Sequence, residues 1–173
     1  IRDRGNALLY NHRCRRFSRL DGLTMLLNRT QYEKDLERIK PPAVIINMDV
    51  DDFKQINDTS GHAAGDYYLR QIAEVIRTVY GRHGDCYRYG GDEFSLILTK
   101  NLHQMEKLNG MFEAALGQLR EQDPKMPMVS LGYALYEGGI EALYATIEKA
   151  DAMMYRNKKV NDRAEIVENA AEF

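Results

Sequence analysis

Arg88-Tyr89-Gly90-Gly91-Asp92-Glu93-Phe94-Ser95-Leu96-Ile97-Leu98 is the stretch from which the fold can be read. Two adjacent glycines separate two runs that read as strands, and two carboxylates follow at once. The pattern predicts a tight antiparallel hairpin, because glycine takes positive φ without a Cβ clash. Past the turn, Phe94, Leu96 and Leu98 fall on one face at period two, with Glu93, Ser95 and Ile97 on the other. The tip therefore sets Asp92 and Glu93 on opposite sides of a strand start, beside backbone that has no side chains to block a ligand. An ordinary polar surface turn has the same composition. What the tip means depends on what the rest of the chain brings to it.

A second acidic cluster lies upstream. Ala43-Val44-Ile45-Ile46-Asn47-Met48-Asp49 is almost wholly apolar, bounded by Pro41-Pro42 and an acidic turn, which predicts a strand covered on both faces. Asp49-Val50-Asp51-Asp52 sits at its carboxyl end. Three carboxylates in four residues repel one another, and at the end of a buried strand an unpaired carboxylate is expensive. A cation resolves the conflict, and magnesium takes one or two carboxylates completed by water and phosphate oxygens. Phe53 to Asp58 reads as a short helix and Gly61 to Asp66 as a turn into the next. Amides at this strand-to-helix junction point at an anion, with Lys54 placed over phosphate oxygens. Asn57 and Asp66 can donate to and accept from a base edge. His62 taken alone reads as a structural turn residue.

Helical periodicity places Leu69, Ile72, Ala73, Ile76 and Val79 on a buried face through about Tyr80. Asn28 or Thr30 caps an earlier helix reaching about Ile39, with Tyr32, Leu36 and Ile39 inward. A helix from about Leu102 to Arg120 turns Met105, Leu108, Met111, Phe112, Ala115 and Leu119 inward. A strand over 128–136 follows, and a last helix spans about Ile140 to Lys159. The methionines read as packing throughout. This order implies an α/β (α+β) fold whose central sheet is mainly antiparallel and flanked by helices.

With 173 residues the chain reads as one domain with a core of its own, and its 44% hydrophobic and 29% charged residues are those of a globular protein. Lys+Arg of 24 against Asp+Glu of 26 leaves a net charge of −2, which gives no field for steering onto nucleic acid. Cys14 and Cys86 form no metal-type spacing, so a reducing, cytoplasmic setting is expected. No run of 18 apolar residues occurs, so no membrane contact is expected of this domain. The chain opens on Ile1 rather than Met, which suggests a piece of a longer protein. Residues 1–20 read as a basic linker helix from an upstream region, 21–163 as the domain proper and 164–173 as a polar tail.

Taken together, the motifs resemble one family. Asp21-Gly22-Leu23-Thr24 with Asn28-Arg29, Asp49-Val50-Asp51-Asp52-Phe53-Lys54-Gln55-Ile56-Asn57-Asp58, Gly61-His62-Ala63-Ala64-Gly65-Asp66, Gly90-Gly91-Asp92-Glu93-Phe94 and Ala150-Asp151 with Met154-Tyr155 stand in the order of a GGDEF domain, over roughly residues 18–163. The resemblance implies a nucleotidyl cyclase and polymerase palm-like fold with a ferredoxin-like core. It also implies a bacterial second-messenger reaction, in which two GTP become cyclic di-GMP with release of two pyrophosphates. It implies Mg²⁺, or Mn²⁺, held by Asp49, Asp92 and the Val50 carbonyl. Lys54 would stabilise phosphate charge, and Asp92 or Glu93 would act as base. Asn57 and Asp66 would contact guanine, with Phe53 and His62 in the substrate-contacting segment and Lys158 on phosphate. One domain holds one GTP, so a symmetric homodimer is implied, as is an upstream sensor or signalling domain.

The chain departs from the family pattern at three places. Met25 replaces a glycine. Asp162 stands where a phosphate-binding arginine is common, so either Arg163 shifts in or that contact is lost. Arg82 and Asp85 resemble a product-inhibition site, but Asp85 lies one residue too close to Gly90. These departures leave a second reading, a module that binds GTP or cyclic di-GMP and relays a signal without turnover.

Overall fold

The computed structural model describes residues 19–171, with side chains through Asp162. The linker helix expected over residues 1–20 falls almost wholly outside that range. Within it the elements are β1 (Leu27–Asn28), α1 (Arg29–Leu36), β2 (Ala43–Val50), α2 (Phe53–Ser60), α3 (His62–Tyr80), β3 (Gly84–Arg88), β4 (Glu93–Leu98), α4 (Met105–Gln122), β5 (Val129–Tyr136) and α5 (Ile140–Ala171). The five strands form one sheet in the order β1-β3-β4-β2-β5, antiparallel except where the short β1 runs parallel to β3.

Both faces of the sheet are covered, and the alternation along β2 shows why. Val44, Ile46, Met48 and Val50 pack with Phe94, Leu96 and Leu98 against the apolar faces of α3 and α4. The opposite face carries a smaller cluster of Ala43, Tyr87, Ile97 and Tyr136 with Tyr32 of α1. On that second side Asn47 donates to Asp151 of α5 at 2.6 Å and accepts from Ser95 Oγ at 3.0 Å. Every buried side-chain nitrogen or oxygen among the described residues has a hydrogen-bond partner, as a closed interior requires.

The structure revises several sequence expectations. Neither Gly90 nor Gly91 has positive φ; that conformation falls to Gly61, Gly138 and Gly139. At Gly90 the constraint is proximity, since a Cβ would stand 2.5 Å from Glu93 Oε2. Residues 62–65 are helix rather than turn, because the single positive-φ residue Gly61 reverses the chain between α2 and α3. Gly65 lets the two helices close, since its Cβ would lie 2.1 Å from Asn57 Oδ1. Met111 is 48% exposed and Met25 50% exposed, so methionine is not uniformly packing here. The inner face of α4 is completed by Leu116, which is buried, and not by Met111. Helix α5 runs to Ala171, well past Lys159, because no glycine or proline interrupts it.

Candidate active site

Strand β2 delivers Asp49 to the face that α5 covers, and its register partners are Glu93 on β4 and Ser130 on β5. The Val50 N–H donates to the Asp92 carbonyl at 3.0 Å, which ties the end of β2 to the glycine turn. Lys158 reaches down from α5 and donates to Asp49 Oδ1 as a half-buried ion pair. The two acidic clusters of the sequence thus converge at the end of the central strand β2, with an ammonium beside them.

The charge balance shifts the pKa of these groups. Burial pushes the Asp92 carboxyl above its ordinary pKa and the charge of Asp49 adds to it, against partial relief from its own backbone N–H, Lys158 and Arg88. Glu93 is raised in the same direction by burial and by Asp49, Asp92 and Asp151, with Arg29 opposing. Burial disfavours the Lys158 ammonium, but its hydrogen bond and attraction to Asp49, followed by Asp51 and Asp92, prevail and raise its pKa. Carboxylates whose pKa is raised by burial and by neighbouring charge are a common mark of a functional site.

A second layer holds this arrangement, formed by contacts that no sequence motif singles out. Asp51, 5% exposed, accepts from Ser130 Oγ at 2.8 Å and from Asn161 Nδ2 at 2.9 Å. Asn161 lies three residues after Lys158, on the same side of α5, so one turn of helix serves both Asp49 and Asp51. Arg88 donates to the Gly91 carbonyl at 2.7 Å and pairs with Asp21 at 3.2 Å. Burial alone would raise the Asp21 carboxyl, but hydrogen bonds from Thr24 and Arg88 outweigh it and lower its pKa. The only sequence signal for either layer is spacing on a helix or strand that must first be placed in three dimensions.

The remaining candidates group around α2 and α3. Asn57 lies against Gly65, the neighbour of Asp66, and the Phe53 ring borders the same spot. Lys54 is exposed on the first turn of α2, and His62 is exposed at the start of α3. Arg82 and Asp85 are exposed, in the turn after α3 and on β3, with no ion pair between them among the described contacts. The Arg163 side chain lies outside the described residues. Cys86 is buried, and its thiol is pushed up to about 12 by burial and then by Asp85, so it is chemically quiet.

The sequence family described as diguanylate cyclase, GGDEF domain, matches residues 18–163. The chain belongs to that family. The GGDEF domain is similar to the diguanylate cyclase DgcS of Shewanella oneidensis, 33% identical over 147 residues, which is 80% of this chain and 49% of that protein. It is also 36% identical over 101 residues to the cyclic di-GMP phosphodiesterase PdeB of the same organism, covering 57% of this chain and 12% of that one. Among solved structures it is similar to the coiled coil and GGDEF domain of DgcB from Caulobacter crescentus in complex with c-di-GMP. The TM-score is 0.76 at 27% identity, covering 90% of this chain and 88% of that one. The chain therefore spans half or less of the length of these curated relatives. The fold is the nucleotidyl cyclase palm-like one that the motifs implied.

The donor set of the GGDEF domain fits a hard divalent cation. Asp49 and Asp92 are close enough for one to raise the pKa of the other, which a bound cation would relieve. Among the described residues no three His, Cys, Asp or Glu side chains form a ready cage. Two carboxylates with open positions suit Mg²⁺, which keeps water and substrate oxygens among its ligands. No helix among the described residues is long and apolar enough to cross a membrane.

Proposed function

We propose that residues 21–163 form the catalytic domain of a diguanylate cyclase, which condenses two GTP into cyclic di-GMP in a symmetric dimer. The observation that carries this reading is the convergence of Asp49, Asp92 and Lys158 at the end of β2. Asn57 and Asp66 on the facing helices would read the guanine edge. Phe53 and His62 would border the nucleotide, and Lys54 and Lys158 would hold its phosphates. Mg²⁺, or Mn²⁺, held by Asp49, Asp92 and the Val50 carbonyl would polarise the α-phosphate and stabilise the departing pyrophosphate. In each half-reaction the 3′-oxygen of one GTP bonds to the α-phosphorus of the other. The α–β phosphoanhydride bond breaks, pyrophosphate leaves, and Asp92 or Glu93 takes the 3′-proton. The symmetric dimer supplies the second GTP in the required orientation.

The ion pair of Lys158 with Asp49 gives the lysine a place to wait before phosphates arrive. Arg163 is a further candidate for the phosphates, and Arg82 with Asp85 for an inhibitory product. Residues 1–20 would link the domain to an upstream sensor in the cytoplasm, while the polar segment expected as a tail from residue 164 continues α5 through Ala171. The test is to force dimerisation with a fused coiled coil and incubate with GTP and Mg²⁺. Cyclic di-GMP is the expected product, and Asp92→Ala should lower its rate by about two orders of magnitude or more. GTP binding with no product above the Asp92→Ala control would favour the signal-relay module instead.

A further inference from the structure

Helix α2 has two working faces. Lys54 and Asn57 lie on one, toward the candidate nucleotide site. Asp52, Gln55, Ile56, Thr59 and Ser60 follow the i, i+3, i+4, i+7, i+8 rhythm of the other. That second face forms one wall of a cleft of about 710 Å³. The opposite wall comes from Arg120 near the end of α4 and from the segment Pro124–Met128, and Tyr68 and Asn161 also reach the cleft. None of Asn57, His62, Asp66, Asp49 or Lys158 lines it. The volume falls within the range of small-molecule sites.

The lining is divided by chemistry. Ile56 and the buried Met126 give an apolar floor, continued by Met128. Both cations, Arg120 and Lys125, stand on the α4 side, and no hydrogen bond or ion pair engages either side-chain head group among the described contacts. Both carboxylates, Asp51 and Asp52, stand on the α2 side. Asp51 is already held by Ser130 and Asn161, and Tyr68 donates to Asp123 at 2.9 Å. Among the described contacts the head groups of Asp52, Arg120 and Lys125 are all unengaged, but the two cations stand together on the wall opposite Asp52, where a guanidinium fork suits a carboxylate, phosphate or sulfonate.

We propose that this cleft is a second ligand site, adjoining the candidate active site at Asp51 and Asn161 but lined by none of the side chains proposed to contact nucleotide, that takes a small organic anion with an apolar body. Its anionic group meets Arg120 and Lys125, and its body lies on Ile56, Met126 and Met128. The proposal does not depend on the cyclase reading, because it concerns the reverse face of α2.

8-Anilinonaphthalene-1-sulfonate has this chemistry and serves as the probe. Titrated into the folded, ¹⁵N-labelled protein, it should bind saturably at one site. Amide shifts should be concentrated at residues 55–60, 120, 125, 126 and 128. The Arg120→Gln/Lys125→Gln double variant should bind at least tenfold more weakly with an unchanged melting temperature, while Asn57→Ala should bind as the parent does. Absence of saturable binding, shifts centred elsewhere, an unweakened double variant or displacement by excess GTP would each overturn the proposal. Should the double variant unfold, the shift map on the parent protein decides alone.

Discussion

At Asp92 the same environment that suits a cation makes the carboxylate uncomfortable without one. Burial and Asp49 hold its pKa above the ordinary value. Ionisation therefore opposes folding once pH rises past the unfolded-state value, and the penalty is complete above the raised folded-state value. Below both values the folded and unfolded chains are protonated alike and the penalty vanishes. In EDTA, Asp92→Asn should therefore stabilise the domain at pH 7, and the gain should fade toward pH 3. Urea unfolding at the two pH values checks this. Met25 presents a simpler strain, a non-glycine at φ 59° with its side chain half exposed. Left-handed backbone costs an L-residue roughly 1–2 kcal/mol, and glycine returns part of that as unfolded-state entropy. Met25→Gly should raise stability by about 0.5–1 kcal/mol, read as a shift of the urea midpoint at unchanged slope.

Among the elements, β5 and α5 approach each other closely at Gly132. A Cβ at Gly132 would stand 2.1 Å from the Ala150 carbonyl oxygen and 2.2 Å from the Met154 nitrogen, both backbone atoms that cannot swing aside. Gly132→Ala should push α5 outward, destabilise the domain by about 3 kcal/mol or more, and draw Lys158 away from Asp49. Thermal melting gives the first effect. Element boundaries were legible where one period ran unbroken, as in β2 and β4, whose two faces are both buried. They were illegible where structure came from a partner: two residues become β1 only because β3 lies beside them. The α2–α3 junction was misread because four residues resembling a turn needed only Gly61 to make it. The site followed the same rule. Asp49, Asp92 and Lys158 stood out by residue type within recognisable motifs. Arg88 with Asp21, and Asn161 with Ser130 and Asp51, are joined across 67, 31 and 110 positions, and only the fold brings them together.

At the scale of the whole molecule, β2 organises both the core and the chemistry. Its even positions hold the larger hydrophobic cluster, and its odd positions carry Asn47 to Asp151 and Asp49 to Lys158. The sheet and both helical layers could be anticipated from hydrophobic period alone. The cleft behind α2 could not, since its walls come from segments some sixty residues apart. The helix between the two candidate sites is itself lightly held, because none of the eight residues of α2 is fully buried, whereas α3 buries Leu69, Ile72, Ala73 and Ile76. Its backbone amides should therefore exchange with deuterated solvent at least tenfold faster than those of Ile72 to Ile76, through local opening that leaves the sheet intact. Equal protection in the two helices, measured by mass spectrometry, would contradict this. A segment so loosely anchored is also the first place a protease should nick the unliganded domain, so a ligand seated on either face should declare itself as resistance to cleavage between Phe53 and Ser60.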